Sequence, residues 1–230
     1  CDDGNLRSHD GCSSGCTDET PTWTQLAPPG NVPVDRYGYA MAYLEDSHTV
    51  LLHGGRDCCG YFNDTWRFDG TQWMQLSPSP APTERAFHHI AYDALRDVAV
   101  LYGGDPFGTD LDDTWEWDGV GWNEATPTTD PGPKSQYAMI PFSPSGGVLL
   151  VHFGMWRYNG AWTSLSPNPL PPNRYYPAMA WDRDRNRAVL FGGTISGNAF
   201  GDTWEWNGTQ WTETTPGVSP DARRSHGMVY

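Results

Sequence analysis

DDTWEWDGVGW, residues 112–122, decides the fold because it recurs. NDTWRFDGTQW stands at 63–73, GDTWEWNGTQW at 201–211, and the shorter MWRYNGAW at 155–162. Upstream of each copy lies an aliphatic run that ends in glycine: VLLHGG at 50–55, VAVLYGG at 98–104, VLLVHFG at 148–154 and AVLFGG at 188–193. Further upstream stands a basic residue: Arg36, Arg85, Lys134, Arg174 and, at the start of a fifth copy, Arg223. Their spacings are 49, 49, 40 and 49 residues. Seven residues after each comes Tyr43, Tyr92, Pro141, Trp181 or Tyr230. Markers that return in a fixed order at a fixed period define a repeat architecture.

Each repeat reads as four strands. The first follows the basic residue, as in AFHHIAYD at 86–93, and the second is the aliphatic run. The third carries aromatics at i and i+2, such as Trp115 and Trp117, which a strand places on one face. Asp69-Gly70, Asp118-Gly119, Asn159-Gly160 and Asn207-Gly208 then predict type I′ two-residue hairpins. The fourth strand holds Trp73, Trp122, Trp162 or Trp211, and proline-rich links such as SPSPAPTE at 77–84 lead onward. Four antiparallel strands per repeat make one blade of a propeller. The expected fold is all-β, a β-propeller of four-stranded antiparallel blades, about four of them complete.

Composition agrees. Among 230 residues, 26 are Gly and 20 Pro, which suits short strands joined by turns. Only 37 % are hydrophobic, but 12 Trp and 11 Tyr bury large areas apiece. No window has helical periodicity, and no apolar run approaches the ~20 residues of a membrane-spanning helix. The net charge of −14 repels phosphate backbones, so nucleic acid is not an expected partner.

The Gly-Gly after an aliphatic strand, the downstream Trp pair and the Arg-x-x-His starts (Arg85 to His88, Arg223 to His226) resemble Kelch repeats, and the DTWEWDG form resembles their bacterial variety. The resemblance covers roughly 22–230 and implies a propeller domain over 20–230, with the ring incomplete. The third repeat departs from it: nine residues are missing, Gly-Gly has become Phe153-Gly154, and the strand 2–3 loop is almost gone. TWTQL at 22–26 matches an isolated fourth strand, and RRSHGMVY at 223–230 an isolated first strand. The expected parent is longer, with about six or seven blades, and the strand at 22–26 completes its last blade.

CDDGNLRSHDGCSSGCTDE at 1–19 resembles part of a cysteine-rich repeat of secreted myxobacterial proteins, on Cys1, Asp2, Asp3, Gly4, Asn5, Asp10, Gly11, Cys12, Ser13 and Cys16. With Cys58 and Cys59 it makes five cysteines, all disulfide candidates, and points to an oxidising, extracellular or cell-surface setting in a larger multidomain chain. Asp2, Asp3, Asn5 and Asp10 offer the hard oxygens calcium takes; turn-making in a small disulfide knot is the favoured reading of the same residues. Cys58 and Cys59 have three options: a vicinal disulfide, a bridge to the N-terminal segment, or free thiols.

Most chemistry-bearing residues recur in register and therefore read as scaffold. Trp66, Trp115, Trp156 and Trp204 are expected in blade-to-blade packing, and the repeat arginines as anchors. His88 and His226 fall at a Kelch structural position whose equivalents are Tyr39, Tyr137 and Pro177, which gives no ring of metal ligands. Galactose oxidase is the enzyme precedent for such blades, yet none of its copper ligands or its Cys–Tyr cross-link can be matched here. No Gly-x-Ser-x-Gly elbow occurs. The expectation is therefore a non-enzyme with no cofactor.

Function is expected where the repeats differ. The strand 2–3 loops RDCCGYF (56–62), DPFGTDL (105–111) and TISGNAF (194–200) share one face with the inter-blade links. Variable loops on a rigid scaffold are where binding resides. Asp57, Tyr61, Phe107, Asp110 and Phe200 are the expected ligand-binding residues, for a protein or glycan partner. The alternatives are a structural or adhesive element of a large surface protein, and a galactose-oxidase-like enzyme whose catalytic residues lie elsewhere in the parent.

Overall fold

The computed structural model describes residues 25–143 and 145–230. The cysteine-rich segment, with Cys1, Cys12, Cys16 and the Asp2, Asp3, Asn5 and Asp10 oxygens, lies outside the described residues, as does most of the 22–26 strand. The described chain is all β with no helix. It builds four consecutive four-stranded antiparallel sheets, each in simple chain order.

The first sheet is β1 (Ala40–Leu44), β2 (Thr49–His53), β3 (Thr65–Phe68) and β4 (Trp73–Leu76). The second is β5 (His89–Asp93), β6 (Val98–Gly104), β7 (Leu111–Trp117) and β8 (Trp122–Ala125). The third is β9 (Ala138–Pro141), β10 (Val148–His152), β11 (Gly154–Tyr158) and β12 (Trp162–Leu165). The fourth is β13 (Ala178–Asp182), β14 (Arg187–Phe191), β17 (Thr203–Trp206) and β18 (Trp211–Thr214). A short hairpin, β15 (Thr194–Ile195) with β16 (Asn198–Ala199), rises from the strand 2–3 loop of the fourth sheet.

The first strands of consecutive sheets are neighbours: β1 with β5, β5 with β9, β9 with β13. Each core lies between two sheets. Ala42 and Leu51 of the first pack with Ile90, Leu101 and Trp117 of the second. Tyr102 of the second packs with Met139, Leu150 and Trp162 of the third. Met155 of the third packs with Leu190, Trp204 and Trp211 of the fourth. This arrangement is compatible with the blades of a propeller. Trp115 and Trp204 lie in these inter-sheet cores, as their recurrence predicts, and Trp156 packs at the edge of one.

Gly-Gly recurs because the link to the next sheet crosses over it. Gly54, Gly103 and Gly192 have φ of +64°, +53° and +66°, and a Cβ there would sit 2.7, 2.5 and 2.4 Å from the carbonyl oxygens of Arg85, Lys134 and Arg223. Only glycine fits such an approach. In the third sheet a single residue, Phe153, joins β10 to β11, and the sheet forms nonetheless.

Two sequence expectations are corrected. The turns between third and fourth strands are not type I′. Gly70, Gly119 and Gly208 have positive φ, but Asp69, Asp118 and Asn207 do not. The side-chain oxygen of each accepts from the next two available main-chain N–H groups instead, Thr71 and Gln72 in the case of Asp69. Asx capping has replaced the second left-handed residue. In addition, 223–230 is not a strand. First strands pair with the second strand of their own sheet, and 223–230 pairs with no strand among the described residues.

Candidate functional site

The links and the strand 2–3 loops meet at one end of the sheets through bridges Tyr37 to Arg56, Arg56 to Tyr61, Ala86 to Asp105 and Tyr175 to Thr194. Three clamps fix this end. Arg36, Arg85 and Arg174 pair in bidentate fashion with Asp64, Asp113 and Asp202, at 2.5–2.8 Å. Each also donates to a glycine carbonyl, of Gly54, Gly103 or Gly192. The same carboxylates accept the indole N–H of Trp66, Trp115 and Trp204. Arg36, Arg85 and Arg174 are thus anchors, as their recurrence predicts, whereas the Arg223 side chain donates to the Asp221 carbonyl and forms no such clamp among the described residues.

Two residues beyond each anchor the chain turns left-handed. Gly38, Phe87, Gln136, Tyr176 and Ser225 have φ of 68°, 58°, 61°, 53° and 55°. Non-glycine residues hold this conformation only where their surroundings enforce it. The enforcing contacts are main-chain hydrogen bonds from sheet to sheet. Phe87 N donates to Gly38 O (2.7 Å), Gln136 N to Phe87 O (3.1 Å), Tyr176 N to Gln136 O (2.7 Å) and Ser225 N to Tyr176 O (3.2 Å). Side-chain identity plays no part in these bonds, so no residue pattern announced them; the signal was the constant offset from each anchor.

This hydrogen-bonded arc floors an open cleft of about 600 Å³, lined by Tyr37, Tyr39, Phe87, His89, Tyr176 and Arg224 among others. Aromatic rings continue outward from it. Tyr176 meets Phe87 edge-on at 6.2 Å, and Phe87 meets Tyr37 at 6.2 Å. The Arg56 guanidinium lies 5.5 Å from the Tyr37 ring and 4.6 Å from that of Tyr61, and donates to the Tyr61 hydroxyl at 2.8 Å. Tyr61 packs on Phe107 at 4.7 Å. Tyr37 is 51 % and Phe107 71 % exposed, large apolar surfaces left in water. A second cluster, His152, Phe153 and Tyr175, stands between the third and fourth sheets.

The structure thus joins two of the five expected residues, Tyr61 and Phe107, and links them to cleft residues the sequence reading missed. Phe200 sits elsewhere: its ring packs 4.2 Å from the Arg174 guanidinium, as Phe62 does on Arg36, so it belongs to a clamp. Asp57 accepts from the main-chain N–H of Cys59 and Gly60, which depresses its pKa and shapes the loop. Asp110 is exposed near Lys134, whose ammonium pKa is lowered by burial. Cys58 and Cys59 are exposed, unbonded thiols with Sγ atoms 3.0 Å apart. With Asp57 they form the one group of three potential metal ligands within mutual reach among the described residues.

A second cavity, about 550 Å³, opens among the first strands and their turns, lined by Met41, Tyr43, Leu95, Phe142 and Trp181. An ion pair between Glu45 and Arg183 stands at its rim. No protein-family model matches the chain, and no curated protein matches it either.

Proposed function

We propose that the chain is the Kelch-type propeller portion of a secreted or cell-surface protein and serves as a binding module for protein or glycan. The observation that carries this reading is the aromatic line from Phe107 through Tyr61, Arg56, Tyr37 and Phe87 to Tyr176. Concave, largely apolar surfaces with a few placed polar groups are the usual form of ligand sites, and exposed aromatics with arginine are enriched where binding energy concentrates. The bonded floor beneath holds them in place before a ligand arrives, which lowers the ordering cost of binding.

The test is a glycan array and a pull-down on the wild type and on Tyr37→Ala, Phe107→Ala and Val120→Ala variants. Val120 is exposed on a strand 3–4 turn at the opposite end of the sheets. Binding that falls at least tenfold in the first two variants and not in the third supports the module. Binding indifferent to Tyr37 and Phe107 moves the site elsewhere, and a spacer role then becomes the better reading.

A further inference from the structure

The charges around the aromatic line are unusual for this chain. The sequence carries a net charge of −14, and on this face the anchor arginines Arg36, Arg85 and Arg174 are each engaged by an aspartate. Arg56 and Arg224 are not: neither makes an ion pair among the described residues. Arg56 stands between Tyr37 and Tyr61, and its buried Nε has no hydrogen-bond partner. Arg224 lines the cleft and lies close enough to Tyr176 to act on its hydroxyl electrostatically. The order along the face is Arg56, Tyr37, Phe87, Tyr176, Arg224, so two uncompensated guanidinium groups bracket three aromatic rings. The nearby carboxylates are occupied by their own loops, Asp57 by the Cys59 and Gly60 N–H groups and Asp105 by that of Gly108.

We infer that this cleft binds a carboxylated oligosaccharide of the uronate type, with sugar faces on the aromatic rings and carboxylates on Arg56 and Arg224. A guanidinium matches a carboxylate with two parallel N–H···O bonds. A sugar fits better than an acidic peptide because four of the five main-chain donors of the floor are already engaged. The N–H groups of Phe87, Gln136, Tyr176 and Ser225 are spent on the sheet-to-sheet bonds. An extended peptide is held chiefly by such groups, whereas a sugar needs only ring faces and side-chain donors.

The inference rests on the binding-module reading, and the probes separate the two. Titration calorimetry would use trigalacturonate, its fully methyl-esterified form, which keeps the rings and removes the charge, and hexaglutamate as the acidic peptide. Expected are saturable binding of trigalacturonate, at least tenfold weaker binding of the ester, and about tenfold losses in Arg56→Ala and Arg224→Ala. Arg67→Ala is the control, because Arg67 lies on β3, does not line the cleft, and its guanidinium donates to the Met74 sulfur. Circular dichroism confirms that each variant is folded, and Arg56→Lys distinguishes lost geometry from lost charge. Equal binding of ester and acid overturns the carboxylate inference and leaves the binding module standing. Binding of hexaglutamate alone overturns the sugar. Binding of none of the three overturns the inference, and the glycan array then decides the module by itself.

Discussion

The joint between the first and second sheets and the joint between the second and third use one geometry with different chemistry. In the first joint His53 meets His88 edge-on, at 5.6 Å and 76°. In the second, Tyr102 meets Tyr137 at the same repeat positions, at 6.2 Å and 66°. The tyrosine joint is fully bonded: Tyr137 donates to the Tyr102 carbonyl and accepts from His89 N. The histidine joint is not, because both ring nitrogens of His88 and one of His53 are buried without partners. The anchors differ as well, Arg85 with its aspartate in the first link and Lys134 without one in the second. What stays constant is main chain: Gly55 N donates to Arg85 O, and Gly104 N to Lys134 O. The backbone sets the joint, and the side chains set its sensitivity.

Acid is expected to break the comparison most strongly. Burial lowers the pKa of His53 to about 3 and that of His88 well below its ordinary value. In the unfolded chain both return to about 6.5. Unfolding therefore takes up protons below pH 6.5. Stability is full above that value and is lost as pH falls toward the folded pKa, by about 1.4 kcal/mol per pH unit for each histidine. Urea denaturation from pH 7.5 to 4.5 should show this slope, and His88→Phe should make it shallower; a slope unchanged in the variant would end the argument. Hydrogen exchange should place the first acid-induced opening at β2 and β5, ahead of β6 and β9.

The anchors come next in size. Arg85→Ala leaves Asp113 without its partner and is expected to cost about 3 kcal/mol. Lys134→Ala should cost less than about 1 kcal/mol, in the range of surface substitutions. Equal losses in denaturant titrations would mean that the shared backbone brackets, rather than the clamp, carry the difference. The smallest effect should fall on a bond that both joints share. Trp122 donates to Thr65 across the first, and Trp162 to Thr114 across the second, at 3.1 and 2.9 Å. Thr114→Val should cost about 1 kcal/mol by stranding a buried indole N–H, and Thr65→Val more, because the Thr65 hydroxyl also meets His53 Nδ1 at 3.1 Å.

The four-strand repeat was legible because a residue that packs between sheets must return at every sheet. Trp115, Trp204 and the glycine pairs are such residues, and the shortened third repeat could be read from its missing loop. The hairpin type was misjudged because Asp-Gly supports two turns. The capping power of Asp69 and Asn207, seen in their bonds to the following N–H groups, overrode their tolerance of positive φ. The site was half legible. Tyr61 and Phe107 stood out as aromatics in loops that vary, whereas Tyr37 and Tyr176 were hidden in links whose role is carried by main chain. Phe200 was misplaced because its partner, Arg174, is distant in sequence. That Phe62 and Phe200 hold equivalent positions was the clue to a shared duty.

The left-handed positions that floor the cleft carry Gly, Phe, Gln, Tyr and Ser, five unlike side chains on one hydrogen-bonding pattern. A frame secured through its amides releases its side chains from the task of securing it. Each floor position beyond Gly38 is an interchangeable tile: evolution can rewrite what the cleft recognises, one residue at a time, and leave the masonry untouched. An engineer has the same freedom, and a library confined to 87, 136 and 176 should keep its fold while it samples new specificities.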